Sequence, residues 1–137
     1  MKENVLVSSC LIGLNTRYDK KSSKNIFDDL NSKYNVIPFC PEQASGLSTP
    51  RKPCEIRDGK VYNVDGVDLT EDFLYGANEA LKLCKMYKIK KAFLKAKSPS
   101  CGKGKIYDGS FSGVLVDGNG IATKLLEDNG IEVISIW

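Results

Sequence analysis

The sequence predicts a single α/β domain over residues 1–137, with an open, mostly parallel sheet of about four strands, flanking helices and two hairpin insertions. Three observations lead to this reading. Short apolar runs recur at Val5-Leu6-Val7, Val36-Ile37-Pro38-Phe39, Ala92-Phe93-Leu94 and Val133-Ile134-Ser135-Ile136, with the near-continuous hydrophobicity of strands buried on both faces. Segments of helical period lie between them, and strands alternating with helices build a parallel sheet. A chain of 137 residues is also of one-domain size and buries roughly two-thirds of its unfolded surface, so it folds without disulfides or a structural metal.

The elements follow in order. After the first strand, Ser22 or Ser23 is the expected N-cap of a short helix with Ile26, Phe27 and Leu30 on one face, leading to the second strand. From Cys40 to Thr70 the rhythm breaks. Pro41, Pro50 and Pro53 interrupt the chain, and Glu55-Ile56-Arg57, Asp58-Gly59, Lys60-Val61-Tyr62 reads as a hairpin whose Asp-Gly pair supplies the positive φ of a type I′ turn. The clearest helix follows Thr70, read as its cap. Glu71 and Asp72 sit at the positive end of its dipole and Lys82, Lys85 and Lys88 toward the negative end. Leu74, Ala77, Leu81 and Cys84 form the expected buried stripe. Beyond the third strand, Gly102-Lys103-Gly104-Lys105 and Asp108-Gly109 indicate a second looped hairpin before Gly118. A last helix, bracketed by Asn119 and Asn129-Gly130 with Ile121, Ala122, Leu125 and Leu126 facing inward, feeds the final strand.

Five cysteines and no histidine set the chemistry. Without His there is no Ser-His-Asp or Cys-His catalysis, no His-bound zinc and no imidazole base. Proton transfer falls to Asp, Glu, Lys, Tyr or Cys. An odd thiol count does not close into disulfides alone, and Met1-Lys2-Glu3-Asn4 opens the chain without a secretory apolar region, so the expected setting is a reducing cytoplasm. No run approaches the length of a membrane span. A net charge of +3 is too weak to argue for a nucleic-acid polymer as partner.

Placed on the outline, Cys10 ends the first strand, Cys40 ends the second and Cys101 lies just beyond the third. Parallel strands present their C-terminal ends on one edge, where open α/β folds bind ligands, so three thiols distant in sequence converge. Thiolates are the soft ligands of zinc, copper(I) and iron-sulfur clusters, but no C-x-x-C spacing is present. A shared metal centre, core packing and a single reactive thiol all remain open on spacing alone. Cys84 lies on a helix stripe and reads as structural, whereas Cys54, just before the first hairpin, can approach the same edge.

The loops beside these thiols hold the other polar chemistry. Arg17, in Gly13-Leu14-Asn15-Thr16-Arg17-Tyr18-Asp19, can fork onto a carboxylate or a base edge, or pair with Asp19. Glu42, two residues past Cys40, is a carboxylate that can move protons at the edge of a dry site, or a solvated loop or helix-capping group. In Ser98-Pro99-Ser100-Cys101-Gly102, Pro99 fixes one φ and Gly102 admits close backbone approach. The glycines and lysines at 102–105 lack the G-x-x-x-x-G-K-[ST] spacing of a phosphate loop, which excludes nucleoside triphosphate hydrolysis. Arg51, Lys52, Lys103 and Lys105 can draw an anionic or strongly polar ligand, or, for the lysines, form a solvated basic rim.

Taken in this order, Ser8-Ser9-Cys10-Leu11-Ile12-Gly13 with Arg17-Tyr18-Asp19, Cys40-Pro41-Glu42 with Gly46-Leu47 and Pro50-Arg51, and Ser98-Pro99-Ser100-Cys101-Gly102 with Tyr107-Asp108-Gly109 resemble the thiouracil desulfidase family of small bacterial domains. The resemblance spans nearly the whole chain, including Gly118 to Trp137. It implies a [4Fe-4S] cluster held by Cys10, Cys40 and Cys101 with the fourth iron open to substrate. The implied reaction is non-redox desulfuration of a thiolated pyrimidine, 2-thiouracil to uracil and sulfide, a hydrolysis. In that reading Glu42 and Ser100 handle the water and its protons, and Ser9, Arg17 and Ser98 shape the substrate pocket. Two positions depart from the family pattern: Ser45-Gly46 stands where paired glycines are usual, and Cys54 where a small apolar residue is common. Two other classes are compatible with the cysteines, a metal or cluster carrier without catalysis and a thiol enzyme using Cys101 activated by Lys103 or a helix N-terminus.

Overall fold

All four expected strands are present and all run parallel. In the computed structural model, which describes residues 2–137, the chain runs β1 (Glu3–Ser8), a 3₁₀ turn (Ser9–Ile12), α1 (Phe27–Asn31), β2 (Tyr34–Phe39), α2 (Pro41–Ala44), β3 (Cys54–Arg57) and β4 (Lys60–Asn63). It continues through α3 (Thr70–Met86), β5 (Lys91–Lys95), β6 (Lys105–Tyr107), β7 (Leu115–Asp117), α4 (Ile121–Asp128) and β8 (Glu132–Ile136). The sheet order is β2-β1-β5-β8, with Val5 opposite Val36, Val7 opposite Phe93 and Ala92 opposite Val133. The chain leaves β1 to one side for β2 and returns to its other side for β5, so the crevice between the ends of β1 and β5 is the topological switch point.

Period-two alternation sorts the core into two layers. Leu6, Ala92, Leu94 and Val133 face α3 and α4, where Ala80, Cys84 and Leu126 meet them. Val5, Val7 and Phe93 face the other way, onto Leu11 and Leu30. The central strand is sealed on both sides, with Val5 and Val7 fully buried. Both expected hairpins form. Asp58 and Gly59 take positive φ between β3 and β4, as a type I′ turn requires, and β6 pairs antiparallel with β7.

The helices depart from expectation in detail. Neither Ser22 nor Ser23 caps α1, which begins at Phe27 with Asn25 Oδ1 accepting the Phe27 N–H at 3.0 Å. The buried stripe of α3 is Phe73, Gly76, Ala77, Ala80 and Cys84. Leu74 is 39% exposed against 2% for Phe73, because the larger apolar volume wins the core-facing position and rotates the stripe by one residue. Thr70 does not cap this helix but begins it after Leu69 at the N-cap position; Asp68 Oδ1 accepts the Thr70 N–H at 2.9 Å while Thr70 Oγ1 accepts the Val61 N–H. Asn119 does not cap α4 either. Gly120 occupies the N-cap, and the Asn119 side chain accepts the Gly104 N–H at 2.9 Å. Ile121 and Leu125 are half-buried, and Ala122, Thr123 and Leu126 form the buried side.

The short helix α2, with Pro41 at its first turn, lies against α3 at Gly76. A Cβ at that position would run into the Pro41 carbonyl. Gly76 therefore sets how deeply the Cys40-to-Ala44 segment seats. Gly76→Ala is expected to displace that segment and to destabilise the fold by about 1–3 kcal/mol, the usual cost of overpacking, measurable as a lowered thermal midpoint.

Candidate active site

The three thiols assigned to the sheet edge all lie there. Cys10 sits in the 3₁₀ turn that continues β1, Cys40 directly follows β2 and precedes α2, and Cys101 lies in the turn beyond β5. Cys10 and Cys101 are 8% and 5% exposed. Two carbonyl contacts fix the last turn: the Ile121 N–H donates to Pro99 O at 2.8 Å and the Ala122 N–H to Ser100 O at 2.9 Å. The first amides of α4 thus hold the Ser98-to-Cys101 turn, and Thr123 Oγ1 donates to Cys101 O at 2.8 Å. Gly120 permits this approach, since a Cβ there would meet the Ser100 carbonyl and the Cys101 amide within 2.5–2.8 Å.

A continuous run of polar contacts joins the three cysteine turns. Ser9 Oγ and Thr16 Oγ1 share a hydrogen bond of 2.7 Å beside Cys10. Thr16 O accepts Arg51 Nη2–H at 3.1 Å and the Cys40 thiol at 3.9 Å. Arg51 Nε–H donates to Glu42 Oε1 at 2.9 Å, and Ser100 Oγ–H donates to Glu42 Oε2 at 2.8 Å. Ser98 Oγ lies 3.3 Å from Ser100 Oγ and accepts the Cys101 N–H at 2.7 Å. A serine hydroxyl carries one proton. With that of Ser100 directed at the carboxylate, Ser98 is the donor to Ser100, and the chain runs Ser98 to Ser100 to Glu42.

Arg51 is the keystone, whereas the sequence reading gave it a polar ligand to attract and no partner within the site. Its side chain is 7% exposed and that of Glu42 12%. All five guanidinium protons have acceptors: Glu42 Oε1, Ser48 O, Thr49 Oγ1, Thr16 O, and Cys40 Sγ at 4.0 Å. Such a rigid fork fixes carboxylate and thiol together. Arg51→Met would leave Glu42 buried without its partner, and breaking a buried pair this way costs about 3–5 kcal/mol. Chemical denaturation of the variant should show a loss of that order, and Glu42→Gln in the same background should recover part of it.

Burial dominates the thiol energetics. It raises the Cys40 thiol above its ordinary value, with the Gln43 amide and the Arg51 charge acting in the opposite direction. It pushes Cys101 up to about 12, against hydrogen bonds from Ser100 and Ser8, and the nearby Cys40 and Glu42 add to the rise. Cys101 alone is therefore not an activated nucleophile. Lys103, its expected activator, donates instead to Val133 O at 2.8 Å and pairs with Glu127 at 2.9 Å, and the α4 amides are spent on carbonyls. The single-thiol enzyme is set aside on this geometry.

The remaining expected residues divide. Glu42, Ser98 and Ser100 form the chain between the thiols. Ser9 is buried and engaged with Thr16. Arg17 pairs with Asp19 at 3.3 Å and is partly exposed, so it stands at the rim. Ser23, expected to cap a helix, donates to Cys10 Sγ at 3.5 Å. Cys84 is buried against the α3 side of the sheet. Cys54 is half-buried near the charges of Glu42 and Arg51, and burial lifts its thiol to about 12.

Among the described residues, no three His, Cys, Asp or Glu side chains are gathered tightly enough to hold one metal ion. Three cysteine thiols with no histidine in the chain are a soft donor set of the kind that holds iron-sulfur centres, with no nitrogen ligand required.

Fold and site together define a parallel α/β domain whose sheet edge carries three cysteine turns and a buried carboxylate-guanidinium pair. The chain belongs to the 2-thiouracil desulfurase family, which it matches over residues 5–136. It is 45% identical to a solved structure described as a [4Fe-4S]-dependent thiouracil desulfidase, TudS, with a TM-score of 0.91 over 98% of this chain and 91% of that one. It is also 39% identical over 142 residues to the uncharacterized protein YbbK of Bacillus subtilis, covering 96% of this chain and 94% of the relative.

Proposed function

We propose that this protein is a [4Fe-4S]-dependent desulfidase that converts 2-thiouracil and water to uracil and hydrogen sulfide, with no net oxidation or reduction. Cys10, Cys40 and Cys101 are the cluster ligands in this reading. The observation that carries it is the unbroken run of contacts from the Cys10 turn through Thr16, Arg51, Glu42, Ser100 and Ser98 to the Cys101 amide. Family membership and the likeness to TudS support it. When bound, the cluster supplies an iron with an open coordination position, a Lewis acid for the substrate's sulfur.

The chain's own residues handle water and protons. Each Glu42 oxygen holds one hydrogen bond, to Arg51 or to Ser100, and retains a free lone pair. Glu42 accepts the proton that water loses as its oxygen attacks the thiocarbonyl carbon and returns it to the departing sulfur; the hydroxyl proton left on that carbon follows the same route as the carbonyl forms, so both protons of water leave with the sulfide. Ser100 and Ser98 relay behind Glu42, and the Arg51 guanidinium holds the carboxylate in place. Ser9, Arg17 and Ser98 line the substrate pocket. A small thiolated pyrimidine is the substrate class.

We assign this hydrolase to the bacterial cytoplasm, where reduction keeps thiols free. Cys10, Cys40, Cys54, Cys84 and Cys101 are all unpaired, and no helix among the described residues is long and apolar enough to cross a membrane.

Anaerobic purification tests the reading. The protein is expected to be brown, with about four iron and about four acid-labile sulfide per chain, as a [4Fe-4S] centre requires, and to release sulfide from 2-thiouracil. Protein without iron would overturn the cluster. Iron-loaded protein that releases no sulfide would make it a carrier.

A further inference from the structure

Lys95, the last residue of β5, is a half-buried cation without a counter-charge. Among the described residues its ammonium has neither an acidic partner within salt-bridge distance nor a hydrogen-bond acceptor. Its position is fixed by the sheet: its N–H donates to Ser8 Oγ at 3.0 Å, at the end of β1, where the Cys10 turn begins. Strand alternation puts its side chain on the Phe93 face, the layer in which Cys10 and Leu11 pack.

The groups whose charges act on Lys95 are Lys97, Arg17 and Cys10. Arg17 is held by Asp19, and Lys97 stacks over the Trp137 ring at 5.0 Å. A partly buried cation without a partner is costly, and the layer that Lys95 shares with Cys10 is where an anion held by the Cys10 turn would meet it. The Cys40 side already has such a partner in Arg51.

We propose that Lys95 is a positioning residue that supplies the counter-charge for the Cys10 side of the thiolate-held centre, as Arg51 does for the Cys40 side. The inference rests on the iron-sulfur reading. A centre with three thiolate ligands that also takes up the substrate's sulfur gains negative charge during turnover, and the Lys95 charge offsets it. A cation beside such a centre favours its more reduced, more negative state.

The test is a redox titration of anaerobically loaded wild type, Lys95→Gln and Lys95→Arg, with iron content and circular dichroism measured on each. In Lys95→Gln the equilibrium constant for one-electron reduction is expected to fall about tenfold, which is about 59 mV more negative for a one-electron couple. Lys95→Arg should stay near wild type. Folded Lys95→Gln that loses iron while Lys95→Arg keeps it also supports the inference. An unchanged potential in Lys95→Gln overturns it, as does loss of iron in both variants, which marks a structural role. Wild type without iron overturns the cluster reading itself and is distinguishable because it appears before any substitution is compared.

Discussion

Glu42→Gln retains its iron-sulfur centre and loses about 10²- to 10⁴-fold in turnover, the range that a general acid-base group supplies. The amide keeps the shape. Its oxygen still accepts from Arg51 or Ser100, but it no longer takes a proton from water, and its NH₂ offers a donor where the carboxylate offered an acceptor. Because Arg51 Nε and Ser100 Oγ bracket Glu42 at 2.9 and 2.8 Å, the neutral side chain stays where the carboxylate was. Iron content should match wild type while the steady-state rate collapses. Unchanged turnover would remove Glu42 from the reaction and leave it as the anchor of Arg51.

Cys10→Ser, Cys40→Ser and Cys101→Ser each lose the centre, and activity with it. A hydroxyl is a hard, weakly acidic donor that does not replace a thiolate on soft iron, and removing one of three ligands leaves too few to hold a cluster whose fourth iron is open. Cys84→Ser and Cys54→Ser separate the classes. Cys84 packs against the sheet, so its substitution costs stability and leaves iron in place. Cys54 adjoins Glu42 and Arg51 but stands outside the run of contacts between the other three thiols, so its substitution leaves iron and turnover near wild type. Iron and acid-labile sulfide, assayed anaerobically on all five variants, check the set. Retained iron in any of the first three contradicts the ligand assignment.

That the three cysteine turns share one edge was legible because it follows from topology. Once β1, β2 and β5 are read as parallel, the turns that follow them, with Cys10, Cys40 and Cys101, start from the same edge. Cys84 was legible for a similar reason, since its helical spacing places it in the core. The role of Arg51 was not, because its acceptors come from Thr16, Cys40, Glu42, Ser48 and Thr49. No periodicity relates those positions, and only the folded loop between β2 and β3 brings them together. α2 escaped notice for want of length. Four residues carry no helical period, and its one signal was Pro41 in the first turn with Glu42 beside it. Thr123 shows the opposite failure, a buried polar residue on an apolar face, whose partner is the carbonyl of Cys101. The one-residue rotation of α3 arises because Phe73 and Leu74 are adjacent, and either can begin a three-four pattern.

The central claim is that sulfur leaves by hydrolysis at this site, without electron transfer. It is tested most directly by incubating iron-loaded protein with 2-thiouracil in ¹⁸O-enriched water, without reductant, and measuring uracil by mass spectrometry alongside sulfide. The account predicts uracil carrying one ¹⁸O and sulfide in equal amount over many turnovers. Uracil without the label, or product formed only when a reductant is supplied, would contradict it.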